Sequence, residues 1–469
     1  MHAQYTTAGE FSVRIETNVE YGMAINYMGY TDTLLLDLYK PVGDGNENRP
    51  LLVLIHGGAW IGGCKDEAGT GIILLANEFA SRGYVVASVD YRLGWHKDDY
   101  VATPTSFPWA ETYKSLYAAD SAELIRALYR GMQDVKGAIR FLKGRNVLDS
   151  TCVNNVYVGG ESAGAFVALS VAFLDLESEK PSSCFSITDA PVPQENLPNA
   201  VADCEYRVFT LNDSSLHRDD LGSVEGTLHT GIHNAKVKGV LSFFGGVPIE
   251  AFAKNWFDNN TDIPVYFYHQ TCDGVVSFSY GQPMDVISYN CNLGYDPWHY
   301  NYPHMFGNGA IFDNLTATGS FELLSDFEYC DPFVIPLFDC IRYSDNGSYH
   351  YTSNVAQRAV NASEFLRPFI MTNENDAECK ASTTFYSENT PVHFSIYPNP
   401  MQEDCILRSE NYSMQNLHLS VLDISGSLVT AEFRKENDFI HVTILSRPGI
   451  YFLKIQGEVE IQILQLIKL

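Results

Sequence analysis

The stretch "VYVGGESAGAFVALSVAFL", residues 156–174, decides the fold. A short β-prone run meets two glycines, then Glu161 and Ser162, and beyond Gly164 an apolar stretch long enough for a helix. The spacing predicts a strand that turns into a helix with almost nothing between them. Gly160 and Gly164 lack the side chains that would collide across so tight a turn, and Ser162 is left exposed on strained backbone. Its hydroxyl would stand at a helix N-terminus, with the N–H of Ala163 pointing where a tetrahedral oxyanion would form. A glycine-flanked serine is common by chance, so its surroundings must carry the reading.

Upstream, strands and helices take turns. "TLLLDLY" (33–39), "PLLVLIH" (50–56) and "YVVASVDYR" (84–92) read as strands, and "GIILLANEFASRG" (71–83) as an apolar-periodic helix ending at glycine. "AELIRALYRGMQDVKGAIRFLKG" (122–144) reads as a long amphipathic helix with Leu124, Leu128, Val135, Ile139 and Leu142 on one face. Downstream, "KVKGVLSFFGG" (236–246) and "IPVYFYHQ" (263–270) read as two more buried strands. This alternation predicts a doubly wound, mostly parallel α/β sheet, whose sites form beyond the C-terminal ends of its strands. Ser162 lies at such an end. So does "LIHGGAW" (54–60), where Gly57 and Gly58 make a flexible loop whose backbone N–H groups can turn toward the same oxyanion. His56 in that loop reads as a packing residue, since a base must reach the serine from elsewhere.

The pieces "LLLDLYKPVG", "LLVLIHGGAWIGG", "VVASVDYRLGW", "QDVKGAIRFLKG" and "VYVGGESAGAFVAL", from about residue 30 to 175, resemble the carboxylesterase branch of the α/β-hydrolase family. The resemblance implies a serine hydrolase in which the serine is followed first by an acid after a strand, then by a histidine before the last helix. For the acid it implies Asp273 in "VYFYHQTCDGVVSFSYG", where the family has "HGTxDxxVP"; here Gln270 replaces the glycine and Ser277 the proline, and Asp285 is the fallback. For the base it implies His350 in "DNGSYHYTSNVAQRAVNASEFLRPF", ahead of a helix with Val355, Ala359, Ala362, Leu366 and Phe369 on one face. His299 and His304 compete less well, because "MFGNGAIFDNLTATG" resembles the segment this branch carries between acid and base. The expected site is therefore Ser162, Asp273 and His350, with Gly57, Gly58 and Ala163 as the oxyanion hole and with no cofactor and no metal. The chemistry expected is acyl transfer: the imidazole takes the serine proton, the carboxylate orients the imidazole, and an acyl-enzyme is hydrolysed by water. A peptidase on the same fold and a catalytically silent binding protein are the alternatives. The expected substrate is a small-molecule or polymer-linked ester, and plant-wall acetyl or feruloyl esters, lipids and small xenobiotic esters all stay open.

Composition narrows the partners. The chain has 469 residues, 45% hydrophobic, enough for a large core and a smaller second domain. A formal charge of -27 argues against nucleic acid and repels anionic membrane surfaces. No apolar stretch approaches the roughly 20 residues of a membrane span. The start "MHAQYTTAGEF" lacks the pattern of a secretory signal, so either the protein stays inside or a signal has been removed. Ten cysteines in none of the close CxxC spacings favour oxidised pairs outside the cytoplasm, hence removal. "PSSCFSITDAPVPQENLPNAVADCEYRVF" (181–209) interrupts the α/β rhythm, and a cap inserted over 181–235 is a candidate for setting substrate choice.

After residue 371 the pattern changes. "TNENDAECKASTTFYSENTP" (372–391) is a polar linker, followed by short alternating runs such as "LHLSVLD", "FIHVTIL" and "IYFLKI" that predict a small β-sandwich over 392–469. "SIYPNP", "VLDISGSLV", "RPGIYFLKI" and the final "LIKL" resemble the C-terminal sorting domain of the type IX secretion system of certain Gram-negative bacteria. That resemblance implies the type IX secretion machinery as a partner and export to the cell surface or medium. The hydrolase domain is then expected over residues 1–371.

Overall fold

In a computed structural model, the structure describes residues 5–43, 46–96, 118–188, 218–231, 233–284, 301–330 and 349–371. Beyond these it describes 394–397, 401, 404–409, 417–423, 428–435, 439–456 and 461–468. The chain divides into two compact units, Met1–Thr383 and Thr384–Leu469.

The strands of the first unit are β1 (Ser12–Ile25), β2 (Thr31–Val42), β3 (Arg49–Ile55), β4 (Val85–Val89), β5 (Thr151–Glu161), β6 (Val240–Phe243), β7 (Gly246–Pro248), β8 (Val265–Gln270), β9 (Tyr280–Gly281), β10 (Met305–Gly307) and β11 (Leu323–Glu328). Its α-helices are α1 (Gly71–Ser81), α2 (Ser121–Gly144), the short α3 (Asn146–Asp149), α4 (Ala163–Phe173), the short α5 (Glu250–Ala253), α6 (Asn308–Thr318) and α7 (Val355–Leu366). Among the described residues, eight strands form one sheet in the order β1-β2-β4-β3-β5-β6-β8-β11. From β4 to β11 every neighbour is parallel, and β2 and β1 close the other edge antiparallel. The sequence of β1 alternates, with Val13, Ile15, Val19, Tyr21, Met23 and Ile25 on one parity, but its burial does not: it is an edge strand broken by two register shifts, with Ile15, Met23 and Ile25 exposed.

Side chains of the central strands alternate between two apolar layers. Leu51, Val53 and Ile55 of β3 join α2, α4 and α6 on one face, while Leu52 and Leu54 join α1 and α7 on the other. Val265 and Phe267 of β8 face the first layer, Tyr266 and Tyr268 the second. A strand buried on both faces must be apolar at every position, and β3 is buried throughout. This is the doubly wound α/β architecture, with the C-terminal ends of the parallel strands left as the platform for a site.

Helix α2 departs from its expected amphipathic behaviour. Its polar face is covered: Arg126, Arg130, Lys136, Arg140 and Lys143 are all buried. The cover is mostly irregular chain from residues 181–188, 218–231 and 233–236, whose carbonyls need donors. Arg126 supplies Ser183, Phe185 and Asp219, Arg140 supplies Glu225 and Leu228, and Lys143 supplies Lys236. Buried charge is tolerable there because each cationic group finds carbonyl or carboxylate partners. The described flanks of the expected 181–235 cap thus bind α2, and residues 189–217 lie outside the described residues.

The second unit pairs two antiparallel four-stranded sheets. One has the order β12 (Phe394–Tyr397), β13 (Asp404–Ser409), β17 (Phe439–Ile444), β16 (Ala431–Lys435). The other has β15 (Leu428–Val429), β14 (His418–Asp423), β18 (Gly449–Gln456), β19 (Ile461–Lys468). Leu407, Ile440 and Val442 of the first sheet share one core with Val421, Leu453 and Ile455 of the second, as in a sandwich.

Candidate active site

The turn from β5 into α4 is built from close backbone contacts. A Cβ on Gly164 would lie 2.2 Å from the Ile55 carbonyl oxygen, and one on Gly160 would lie 2.3 Å from the Gly164 backbone. Only hydrogen fits at either position. Between them Ser162 takes φ 53° and ψ −125°, a conformation that L residues rarely adopt. Its N–H donates to the Phe243 carbonyl at 3.0 Å, and its own carbonyl accepts from Ala165 and Phe166 in the first turn of α4. The N–H of Ala163, the first residue of an eleven-residue helix, has no intrahelical partner.

The glycine loop meets this turn. The Cα of Gly57 lies against it, such that a Cβ there would sit 3.2 Å from both the Glu161 carbonyl and the Ser162 Cβ. Gly58 has φ 105°, and its carbonyl accepts from Ile61 and Gly62, closing the loop into a turn. His56 is buried, stacks on Tyr91 and bonds through Nδ1 to the Gly57 carbonyl at 2.7 Å. Burial lowers its pKa from 6.5 to about 4, so it is a neutral packing group.

Asp273 follows β8 and is buried. Its Oδ1 accepts from the N–H groups of Val275 and Val276 at 2.7 and 2.9 Å. Its Oδ2 accepts from Nδ1–H of His350 at 2.7 Å, and Nε2 of His350 accepts from the Ser162 hydroxyl at 2.8 Å. Burial pushes the Asp273 carboxyl up, but the neighbouring His350 and the hydrogen bond from His269 outweigh it and hold the group below the usual carboxylate range. Ser162, His350 and Asp273, which stand 77 to 188 residues apart in the pairs that touch, are therefore joined in one chain of hydrogen bonds. The Phe244 ring stands edge-on to His350 with centroids 4.6 Å apart.

The loop carrying His350 is held from three sides. The Thr352 hydroxyl donates to the buried Glu161 carboxylate, which also accepts from the Ile72 N–H of α1 at 3.1 Å. The Ser353 N–H donates to the Tyr268 hydroxyl, and the Ser353 hydroxyl donates to Glu328. Burial raises the pKa of Glu161. A disulfide, Cys272–Cys330, ties the residue before Asp273 to the chain just past β11. Cys64 and Cys152 are also disulfide-bonded, whereas Cys184 and Cys405 are buried thiols.

Of the competing residues, His304 is exposed and stacks on Tyr280, while Asp285 and His299 lie outside the described residues. Glu161, Thr352, Phe244 and His269 escaped sequence reading. Glu161, Phe244 and His269 had a signal, each being at the C-terminal end of a parallel strand and His269 also standing at the histidine of the "HGTxDxxVP" pattern, but Thr352 had none beyond its neighbours. Among the described residues no cluster of His, Cys, Asp and Glu has the make-up of a metal site, and no helix is long and apolar enough to cross a membrane.

Residues 36–102 match the BD-FAE family, and residues 395–468 match the secretion system C-terminal sorting domain. No curated protein is similar enough in sequence to count as a match. Among solved structures, a truncated carbohydrate esterase from gut microbiota is 14% identical over 76% of this chain and 97% of its own, with a TM-score of 0.40. Esterase 2 of the planctomycete Thermogutta terrifontis with bound propionate is 15% identical over 78% and 97%, with a TM-score of 0.38. A phosphonate-inhibited esterase B of Lactobacillus rhamnosis is 13% identical over 76% and 88%, with a TM-score of 0.36. Likeness this distant says nothing about activity. The chain carries an α/β-hydrolase-like domain and, after it, a type IX secretion sorting domain, which implies a secreted or cell-surface protein.

Proposed function

We propose that the chain is a serine carboxylic-ester hydrolase of the carboxylesterase type, exported by the type IX machinery of a Gram-negative bacterium. We assign residues 1–371 to the hydrolase, 372–391 to the linker and 392–469 to the sorting domain. The observation that carries the reading is the unbroken hydrogen-bonded sequence from Ser162 through His350 to Asp273, set at the strand ends of an α/β sheet. In the reaction His350 takes the Ser162 proton through Nε2 as the Oγ attacks the ester carbonyl, while Asp273, already ionised, stabilises the imidazolium at Nδ1. The oxyanion that forms lies between the N–H of Ala163 and those of the Gly57–Gly58 loop, each donor being worth on the order of a hundredfold in rate. His350 returns its proton to the leaving alcohol, and a water activated by the same imidazole then hydrolyses the acyl-enzyme.

Hydrolysis of p-nitrophenyl esters of increasing acyl length tests this, with Ser162→Ala measured alongside. The parent is expected to turn over, with the variant folded and lower in kcat by at least about 10⁴. A parent that cleaves no ester, or a variant that keeps its rate, sinks the proposal.

A further inference from the structure

His269 is the last-but-one residue of β8, has no exposed surface, and lies against Phe278, ring centroids 5.5 Å apart. Its Nε2 stands 3.1 Å from the Val276 carbonyl oxygen and 3.2 Å from Oδ2 of Asp273. Both neighbours accept, so Nε2 must carry the proton. Its Nδ1 is buried and, among the described residues, has no hydrogen-bond partner. With acceptors facing Nε2, the neutral ring carries its proton there and is a donor on that side.

Resting on the proposed role of Ser162, His350 and Asp273, we infer that His269 is a positioning residue that donates through Nε2–H to Asp273 Oδ2 and shares that oxygen with His350. The effect is twofold. Oδ1 accepts from two backbone N–H groups, and Oδ2 accepts from His350 and faces the Nε2–H of His269, which that oxygen shares with the Val276 carbonyl, so rotation of the carboxylate away from His350 breaks contacts at both oxygens. A second donor on Oδ2 also takes up part of the negative charge that would otherwise serve the imidazolium of His350 alone. The other charged groups around the pair are Glu161, which faces His350 from β5, and Glu328 with Arg358, which reach the histidine loop through Ser353. Among the described residues none of these makes a hydrogen bond or ion pair with Asp273, which leaves His269 as the side chain set to adjust it.

The test compares His269→Met, which fills the space without a donor, with His269→Gln, whose amide nitrogen reaches about as far as Nε2. In His269→Met, kcat on a p-nitrophenyl ester is expected to fall roughly tenfold, the size of one hydrogen bond to a charged group, with KM unchanged. The acidic limb of kcat/KM is expected to move to higher pH by about half a unit, because the imidazolium then has the carboxylate to itself. His269→Gln is expected to recover most of both. A folded His269→Met protein whose pH profile superimposes on the parent's overturns the inference, as does a Gln variant no better than Met. Should the Met variant fail to fold, His269→Asn takes its place, since its shorter amide stops short of Oδ2; a profile equal to that of His269→Gln overturns the inference. The low-field proton NMR signal of the His350–Asp273 hydrogen bond gives a readout free of turnover: it is expected to shift in the donor-less variant and to persist in Ser162→Ala. A shift in a protein that cleaves no ester would uphold the positioning role while discarding the esterase reading.

Discussion

Ser162 and Asp273 both stand just past the C-terminal end of a parallel strand, yet they are held in opposite ways. The serine side is mostly local: Gly160, Gly164 and the first turn of α4 set the backbone of Ser162, and the contacts from outside are the glycine loop after β3 and the Phe243 carbonyl at the end of β6. The acid and histidine side is assembled at long range. A disulfide spanning 58 residues anchors the residue before Asp273, and the His350 loop hangs on Thr352–Glu161 and on Ser353 with Tyr268 and Glu328. The difference teaches that a strained nucleophile can be encoded in a few residues, because backbone strain is a short-range property. The partners of that nucleophile depend on the whole sheet being in register.

The comparison breaks most sharply at Gly164. Gly164→Ala forces a Cβ to 2.2 Å from the Ile55 carbonyl, backbone against backbone. A loss above roughly 4 kcal/mol is expected, seen as insoluble or unfolded protein. A soluble, active Gly164→Ala enzyme would show that the elbow is not built by close approach. On the other side, changing Cys272 and Cys330 together to serine is expected to lower unfolding free energy by up to about 4 kcal/mol, the loop-closure value for a 58-residue separation. Ester turnover should fall with it while the circular dichroism of the folded protein is kept. Unchanged activity and denaturant midpoint would mean that the β8–β11 pairing alone fixes the acid loop.

Acid separates the two sides more gently. His56, beside the glycine loop, has its pKa lowered to about 4 from 6.5 by burial, so the unfolded chain binds that proton more readily. Stability is then lost as pH falls from about 6.5 to about 4, by roughly 3 kcal/mol at about 1.4 kcal/mol per pH unit. Asp273 acts in a lower window. Its carboxyl is depressed in the folded state, so its contribution is complete above the unfolded value near 3.9 and fades only as pH drops through the folded one. Because Asp90 beside it is raised to about 6 by burial and acts with the opposite sign, unfolding free energy is measured by denaturant from pH 7 to 4 in the parent and in His56→Asn; an identical pH dependence in the two would show that His56 is not the buried neutral group described.

Much of the chain was legible beforehand, for a shared reason. The central strands are buried on both faces, so their apolar runs stand out, and the serine elbow needs glycines at fixed offsets that no other residue can replace. The C-terminal sandwich shows itself by strict alternation, as in the buried pattern of β17. The covering of α2 did not, because buried arginine reads as solvated charge until its carbonyl partners are seen.

By itself the sequence determined the α/β alternation, the strained serine and the glycine loop beside it, since these follow from local sterics and periodicity. The resemblance singled out Asp273 and His350, but only the tertiary structure brought them to that serine, had Thr352 and Glu161 steady the histidine loop, and set a second histidine beside the acid's oxygen. Those contacts join residues far apart in the chain, and a hydrogen bond constrains atoms only once the sheet has brought them within 3 Å or so of each other.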